Sequence, residues 1–346
     1  MAQPAPAVRN ESLAALAVDA PPPPARGKPL PAEGDGGAFS QTWWPICLAS
    51  DVAPGSARGF DFLDGRVLAF RDAAGEVRVL SARCPHLGAD LGVGDVHDGA
   101  LRCAFHHWQF DGEGRCLRTG VGDRVPPHAR LFRFPTVEKH GLIWAFNGTA
   151  PTWEVPDFEF PEHALVRKVV VLPELMPVDP WVLCCNTPDM QHIKALHAIT
   201  FEHGDPHDEV EWTDHSMLYD FAGKHRRGEQ ISNRVGIYGT SLYYQATELN
   251  GRWFGFLAPF GLPRAGSSRV FMVVVARKDS GSPEEVARFL DEVLALETRV
   301  VGEDVAVMQT IRFRQGALTP SDRTLARFFD YLRAFPRAHP SAEFIR

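Results

Sequence analysis

Two cysteines and two histidines fall in pairs within one short stretch: Cys84-x-His86 and, after residues 87–102, Cys103-x-x-His106. Thiolate and imidazole side chains together hold zinc or iron–sulfur clusters. Pairs that each mix one Cys with one His suit a 2Fe-2S cluster in which sulfur holds one iron and nitrogen the other. Structural zinc is the rival, because two Cys and two His also complete a tetrahedral site. Zinc fingers place both cysteines in one knuckle and both histidines in another, with two or more residues between paired ligands. Here each knuckle contributes both types, and a single residue separates Cys84 from His86.

A Rieske centre is therefore the expected occupant. Pro85 stiffens the first knuckle, and Gly88, Gly92, Gly94 and Gly99 allow the tight turns that bring backbone amides to cluster sulfurs.

A second constellation lies downstream, where Asn186, Asp189, His192 and His197 stand in NTPDMQHIKALH. Two neutral imidazoles and one carboxylate with open positions describe a non-haem Fe(II) site, which can bind oxygen. Five residues on an ideal helix turn two side chains about 140° apart. His192 and His197 can therefore address one metal only if the helix ends or bulges between them. Histidines on an ordinary helix are the plain alternative, and His203 and His207 are rival ligands.

The carboxylate is better argued from VVGEDVAVMQTI, where Asp304 has Val300, Val301, Val307 and Met308 three and four residues away. These are its neighbours on a helix surface, which puts Asp304 on a buried stripe. A lone buried carboxylate costs several kcal/mol, so it is protonated, paired or bound to a cation. Pairing with an arginine or a helix end is the alternative to metal. Glu303 is expected to face solvent.

Something must hold these groups. Residues 1–40 are rich in Pro, Ala and Gly without apolar periodicity and read as a disordered tail, with order expected from about Trp43. Strand-like runs Val67–Phe70 and Val77–Leu80 lead into the first knuckle, and Trp108–Phe110 and Leu142–Phe146 follow the second. An all-β domain over 41–155 carrying the knuckles on adjacent loops is expected. The proline-rich PTWEVPDFEFP marks a boundary.

Beyond it, over 156–346, strand candidates are Arg167–Leu172, Val210–Phe221, Ser241–Leu249, Trp253–Phe260 and Arg269–Arg277. Two helices are expected among them. One opens at Asp179-Pro180 and runs to about Leu196; the other opens at Ser282-Pro283-Glu284-Glu285 and runs toward Arg314. The fold class is α+β, with an antiparallel sheet wrapped on long helices.

The chain has 346 residues, enough for two or three domains. A net charge of -7 without a Lys/Arg tract excludes a nucleic-acid footprint. No apolar run reaches the length of a membrane span, and the start lacks the features of a signal or transit peptide. Of six cysteines, Cys47, Cys116, Cys184 and Cys185 remain beside the cluster pair and form no disulfide pattern. A reducing cytoplasm is the expected compartment.

Taken together, the knuckles, the Asp-x-x-His-x4-His segment at 189–197 and an Asp on a late helix resemble the catalytic α component of Rieske non-haem iron oxygenases. The resemblance runs from about Trp43 to the end. PTWEVP and GLIWAF add a likeness to the branch of steroid 9α-hydroxylase and cholesterol 7-desaturase oxygenases. It implies that Cys84 and Cys103 hold one cluster iron and His86 and His106 the other, and that His192, His197 and Asp304 hold the mononuclear Fe(II). It further implies that Asp189 bridges His192 to a Rieske histidine of a neighbouring subunit in a homotrimer, and a helix-grip-like catalytic domain.

The sequence departs from the family at Ala104 and His107, where that pattern has proline and glycine. Respiratory and photosynthetic Rieske proteins are set aside, because their extra knuckle cysteines are replaced here by Ala89 and Ala104-Phe105.

No dinucleotide fingerprint follows a strand, so electrons are expected from a separate NAD(P)H-dependent reductase, directly or through a ferredoxin. The expected activity is O2-dependent hydroxylation of a hydrophobic cyclic substrate, with monooxygenation ranked ahead of dioxygenation, desaturation or demethylation. A non-enzymatic electron-transfer or redox-sensing Rieske protein is the competing class. Trp181, Met190, Tyr243, Tyr244, Trp253, Phe254 and Phe256 are candidates for a pocket or, more commonly for such residues, for core.

Overall fold

Short alternating runs in the first half of the chain build three small antiparallel sheets. The computed structural model describes residues 27–346 except Ala73, Arg226, Arg227, Glu229, Asn250, Gln315 and 340–343. One sheet orders Arg133–Phe134, Val77–Ser81, Gly65–Arg71 and Ser56–Phe62; a second orders Thr136–Lys139, Leu142–Phe146 and Trp43–Leu48. The third runs Asp95–His97, Ala100–Arg102, Gln109–Phe110, Cys116–Arg118. Cys84 follows the strand Val77–Ser81, and Cys103 opens the turn between Ala100–Arg102 and Gln109–Phe110. Leu68, Phe70, Leu80, Leu91, Leu101 and Phe110 pack beneath both cysteines.

The second half is dominated by one antiparallel sheet in the order Leu165–Met176, Ser267–Arg277, Arg252–Arg264, Leu242–Leu249, Gln230–Tyr238, Ser216–His225, Ile199–Phe201. Side chains alternate across it. Tyr219, Val235, Phe254, Phe256 and Met272 face one core, whereas Leu218, Leu242, Tyr244, Leu257 and Val273 face another. The second core also takes Trp43, Trp144, Phe146 and Trp153, so the Trp-rich sheet of the first half seals the outer face. Gly255 makes this possible: a Cβ there would stand 2.3 Å from the ring of Phe158.

Four helices lie among the described residues: α1 Pro180–Cys184, α2 Met190–Ala195, α3 Pro283–Met308 and α4 Arg323–Ala334. α3 begins with a capping box, Glu285 N–H donating to Ser282 Oγ at 3.2 Å and Ser282 N–H to Glu285 Oε2 at 2.8 Å. It lays Val286, Phe289, Leu290 and Val293 on the inner core.

The α+β class and the antiparallel sheet agree with the sequence reading. Five details differ, the first being that Val210–Phe221, read as one strand, is a hairpin of Glu211–Trp212 with Ser216–His225. The single helix expected over 179–196 is two, because Pro188 biases Thr187 away from helical backbone and Asp189 caps a fresh start. α3 ends at Met308 rather than near Arg314. The strand Gln230–Tyr238 was not expected, since Asn233 and Gly236 interrupt its alternation, and α4 was not foreseen.

The expected tail over 1–40 lies outside the described residues as far as position 26. Its end is ordered: Glu33 and Phe39 are buried, and Phe39–Ser40 pairs with Arg337–Ala338. Composition misses this because the partner strand comes from the far end of the chain. Among the described residues no helix is long and apolar enough to cross a membrane.

Asp179 occupies the N-cap of α1, but its carboxylate bonds elsewhere. Its oxygens accept from Glu33 N–H at 3.0 Å and Gly266 N–H at 2.6 Å, tying the N-terminal segment to a hairpin of the large sheet. Asp179→Ala strands two backbone donors, each costing about 1–3 kcal/mol when buried. The expected result is a loss of roughly 2–4 kcal/mol in denaturant unfolding; a change within 0.5 kcal/mol would contradict the tie.

Candidate metal centres

The two knuckles are built alike. Cys84 N–H donates to Ala89 O and Gly88 N–H to Cys84 O, at 2.9 and 2.8 Å; Cys103 N–H donates to Trp108 O and His107 N–H to Cys103 O, at 2.9 and 3.0 Å. Both cysteines are buried and both histidines exposed. The imidazole Nδ1 atoms of His86 and His106 approach to 3.2 Å, close enough for two ligands on one iron, and His86 stacks on Trp108. Burial pushes the Cys84 thiol up to about 11, with Cys103 adding to the rise. A thiol so placed ionises when a cation offsets the desolvation.

His107 takes the place in its knuckle that Gly88 takes in the other, and both have positive φ, 55° and 76°. A left-handed residue closes each turn. Histidine is among the non-glycine residues enriched there, at about 1–2 kcal/mol of strain. Behind it, a Cβ at Gly120 would stand 2.0 Å from His106 O.

The second constellation converges. Asp189 is the N-cap of α2, its Oδ1 accepting from His192 N–H at 2.9 Å. α2 stops at Ala195, and Ala198 turns the chain with φ 53° into the strand Ile199–Phe201. The helix thus ends between the two histidines, as one metal requires. His192 Nε2 and His197 Nε2 lie 3.3 and 3.2 Å from Asp304 Oδ1 on α3, and the three donor atoms fall within 4.8 Å of one another. Ligands at right angles with bonds of ~2.1 Å stand ~3 Å apart. Asp304 Oδ1 is buried and accepts no hydrogen bond, so its lone pairs suit a cation.

Burial lowers the His192 pKa, favouring the neutral, ligating form. For His197 burial pulls the same way, but Asp304 and Glu303 outweigh it and the pKa rises. The donor set of two imidazoles and one carboxylate fits Fe(II). His207 is not in this group; its Nδ1 meets Thr324 Oγ1 at 2.6 Å. Nor is His203.

Three neighbours bear on these donors. Glu303 is exposed, as the sequence allowed, and its Oε2 lies 3.2 Å from His197 Nδ1, holding the ring from the other side. Val307, counted as part of the buried stripe, is 49% exposed, so the stripe is narrower than the spacing implied. The Asp189 carboxylate accepts from the backbone amide of His192.

Beside the three donors opens a cavity of about 320 Å³, mostly apolar, under the inner face of the sheet. Of the aromatic candidates, Tyr243, Phe254 and Phe256 line it. Trp181 and Met190 belong to the core, and Tyr244 and Trp253 point to the outer face. Glu297, two turns before Asp304 on the same face of α3, also lines it and was missed. The stripe argument that selects Asp304 selects Glu297 too, since Val293, Val300 and Val301 flank it at three and four residues.

With this geometry in view, residues 42–129 match the Rieske [2Fe-2S] domain family. The chain is 34% identical over 128 residues to the 3-chlorobenzoate-3,4-dioxygenase oxygenase subunit of Comamonas testosteroni, covering 36% of this chain and 28% of that protein. It is 31% identical over 124 residues to a 3-ketosteroid-9-alpha-monooxygenase oxygenase component of Rhodococcus rhodochrous, covering 36% and 32%. These matches span less than a third of either relative. Dicamba monooxygenase bound to dicamba shares the fold at a TM-score of 0.67 and 20% identity, over 85% of this chain and 97% of that one.

The chain carries a Rieske domain, which indicates a 2Fe-2S cluster. Its likeness to Rieske oxygenase subunits is in sequence over about a third of the chain and, with the α+β fold, in structure over 85% of it.

Two outcomes are expected. Gly120→Ala forces the second knuckle aside and should diminish the visible cluster spectrum, whereas His107→Gly should leave it intact and raise stability by about 1 kcal/mol. Burial also lifts the Glu297 pKa from 4.5 to about 7. Its folded form then keeps a proton that the unfolded chain has lost, so stability falls as pH rises across that window, by at most roughly 3 kcal/mol. Thermal midpoints from pH 5 to 8 should converge at the acid end and favour Glu297→Gln at the alkaline end; parallel profiles would contradict the shift.

Proposed function

We propose that this chain is a terminal oxygenase that uses O2 and electrons from a separate NAD(P)H-dependent reductase, directly or through a ferredoxin, to hydroxylate a hydrophobic cyclic substrate. The observation that carries the reading is the meeting of His192, His197 and Asp304 at a largely apolar cavity, in a chain that also holds a Rieske domain. In this reading Cys84, His86, Cys103 and His106 ligate the cluster, and His192, His197 and Asp304 ligate the Fe(II). The domains run 41–155 and 156–346. Iron, when bound, supplies oxygen activation. The chain's own part is to orient the ligands, exclude water and hold the substrate.

Glu303 and Asp304 grip opposite edges of the His197 ring, and Asp189 fixes the start of α2. Asp189 is also our candidate for the electron bridge toward a neighbouring subunit. A homotrimer is supported by apolar side chains exposed around the exposed Rieske histidines, Leu87 at 67% and Phe105 at 61%. The relatives' names include a chlorobenzoate and a 3-ketosteroid, and the cyclic substrate is what we carry over. Monooxygenation is the form we favour. Cys47, Cys116, Cys184 and Cys185, unpaired beside the two cluster cysteines, accord with the cytoplasm. An electron-transfer role alone leaves the cavity and its converging donors without use.

Iron analysis and one variant test this. The holoprotein should contain about three irons per chain, two in the cluster and one in the mononuclear site. Asp304→Ala should lower this to about two, keep the Rieske visible spectrum and abolish product formation with a surrogate reductase. Two irons in the parent protein, or retained turnover in the variant, would overturn the assignment.

A further inference from the structure

The cavity beside the three donors is mostly apolar; besides Asn186, Thr187, Arg299 and Glu303, its polar lining is one hydrogen-bonded strip. Tyr243 Oη–H donates to Gln245 Oε1 at 2.7 Å, and Gln245 Nε2 donates to Thr247 Oγ1 at 2.8 Å and, more weakly, to Glu297 Oε1 at 3.4 Å. Thr247 Oγ1–H donates to Asn233 Oδ1. Tyr243, Gln245 and Thr247 alternate along one strand, Asn233 pairs with Thr247 on the next, and Glu297 reaches in from α3. All five line the cavity.

Burying such a strip in an apolar wall is costly unless each polar atom finds a partner. Two do not find one inside the protein. Among the described residues Glu297 Oε2 and Asn233 Nδ2 enter no hydrogen bond, and neither is among the buried polar atoms sealed away without a partner. They open on the cavity. Glu297 itself is 5% exposed, and among the described residues it forms no ion pair. Burial raises its pKa, which keeps a protonated carboxyl available, and that form both donates and accepts.

Resting on the oxygenase reading above, we infer that Glu297 recognises an uncharged ring hydroxyl of the substrate and so fixes which end of a polycyclic molecule reaches the metal ligands. A hydroxyl, like a neutral carboxyl, gives one hydrogen bond and takes others, so the two match without a net buried charge. Glu297 and Asp304 are seven residues apart on one helical face, about 10 Å along the axis. The substrate class is thus a cyclic alcohol of two or more rings, and oxygen enters a ring remote from its hydroxyl.

The test is binding and product mapping with the intact holoprotein and matched probes: 2-naphthol, 2-naphthylamine and naphthalene, and a 3-hydroxysteroid with its 3-keto and 3-deoxy counterparts. In at least one series the alcohol should bind about tenfold tighter than the parent hydrocarbon. Glu297→Leu should remove that preference while leaving hydrocarbon binding within about twofold, and should scatter the oxidised position. Glu297→Gln, of nearly the same shape, should retain part of the preference; the cluster spectrum and iron content report whether each variant is folded.

Equal binding of alcohol and hydrocarbon, or a preference for amine or ketone, overturns the inference and leaves the cavity as a binding site. A preference unchanged in both variants overturns it as well. No binding by any probe overturns the cavity reading and this inference with it.

Discussion

Asp304 Oδ1 is a carboxylate oxygen taken out of water, given no hydrogen bond, and set 3.2 and 3.3 Å from two imidazole nitrogens. Left to itself this arrangement relaxes, because a buried oxygen without a donor costs several kcal/mol. The structure around it prevents relaxation. α3 is locked at its start by Ser282 and Glu285 and pinned along its length by Phe289, Leu290 and Val293 against the sheet, so Asp304 arrives on a rigid rod. α2 is held on its far side by Gln191, whose Nε2 donates to Asp322 Oδ1 at 2.7 Å beside α4.

The Rieske domain solves a related problem with loops. Its two knuckles repeat one pair of backbone hydrogen bonds, which turns the cysteines inward onto a packed core and the histidines outward to the surface. In the proposed reading, that polarity would suit an electron carrier, with the buried cysteines shielding the cluster from water and the exposed histidines forming the edge that meets a partner. It also explains why a left-handed residue is needed after His106. Glycine meets the requirement without strain and histidine meets it at a cost that the rest of the knuckle absorbs.

Much of this was legible in the sequence wherever residue type and spacing carry the constraint. The knuckles need only their own short segments, and the strands Gly65–Arg71, Val77–Ser81 and Leu142–Phe146 announce themselves by β-branched and aromatic runs between turns. Asp304 was readable because an acid in an apolar stripe demands a partner. Glu303 was not, since its partner His197 comes from a segment 106 positions away. The strand Gln230–Tyr238 hid behind Asn233, a polar residue on the buried face. Its polarity makes sense only once Thr247, on the neighbouring strand, stands opposite it. The pairing of Phe39–Ser40 with Arg337–Ala338 joins segments far apart in sequence and leaves no local signal at either.

The two carboxylates at 303 and 304 show how adjacent residues divide one task. Neighbours on a helix point about 100° apart, so one turn of α3 can present Asp304 to the Nε2 edge of His197 and Glu303 to its Nδ1 edge. With Nδ1–H given to Glu303, the Nε2 lone pair would be free for a cation held jointly with Asp304. Nothing in α2 could do this, because His197 lies past its end, where Ala198 has already turned the chain. His192 depends instead on its own helix, through the Asp189 cap on its amide. One histidine is therefore positioned by the helix that carries it and the other by the helix it faces, so the spacing of the three donors is set by the packing of α3 against the segment that follows α2.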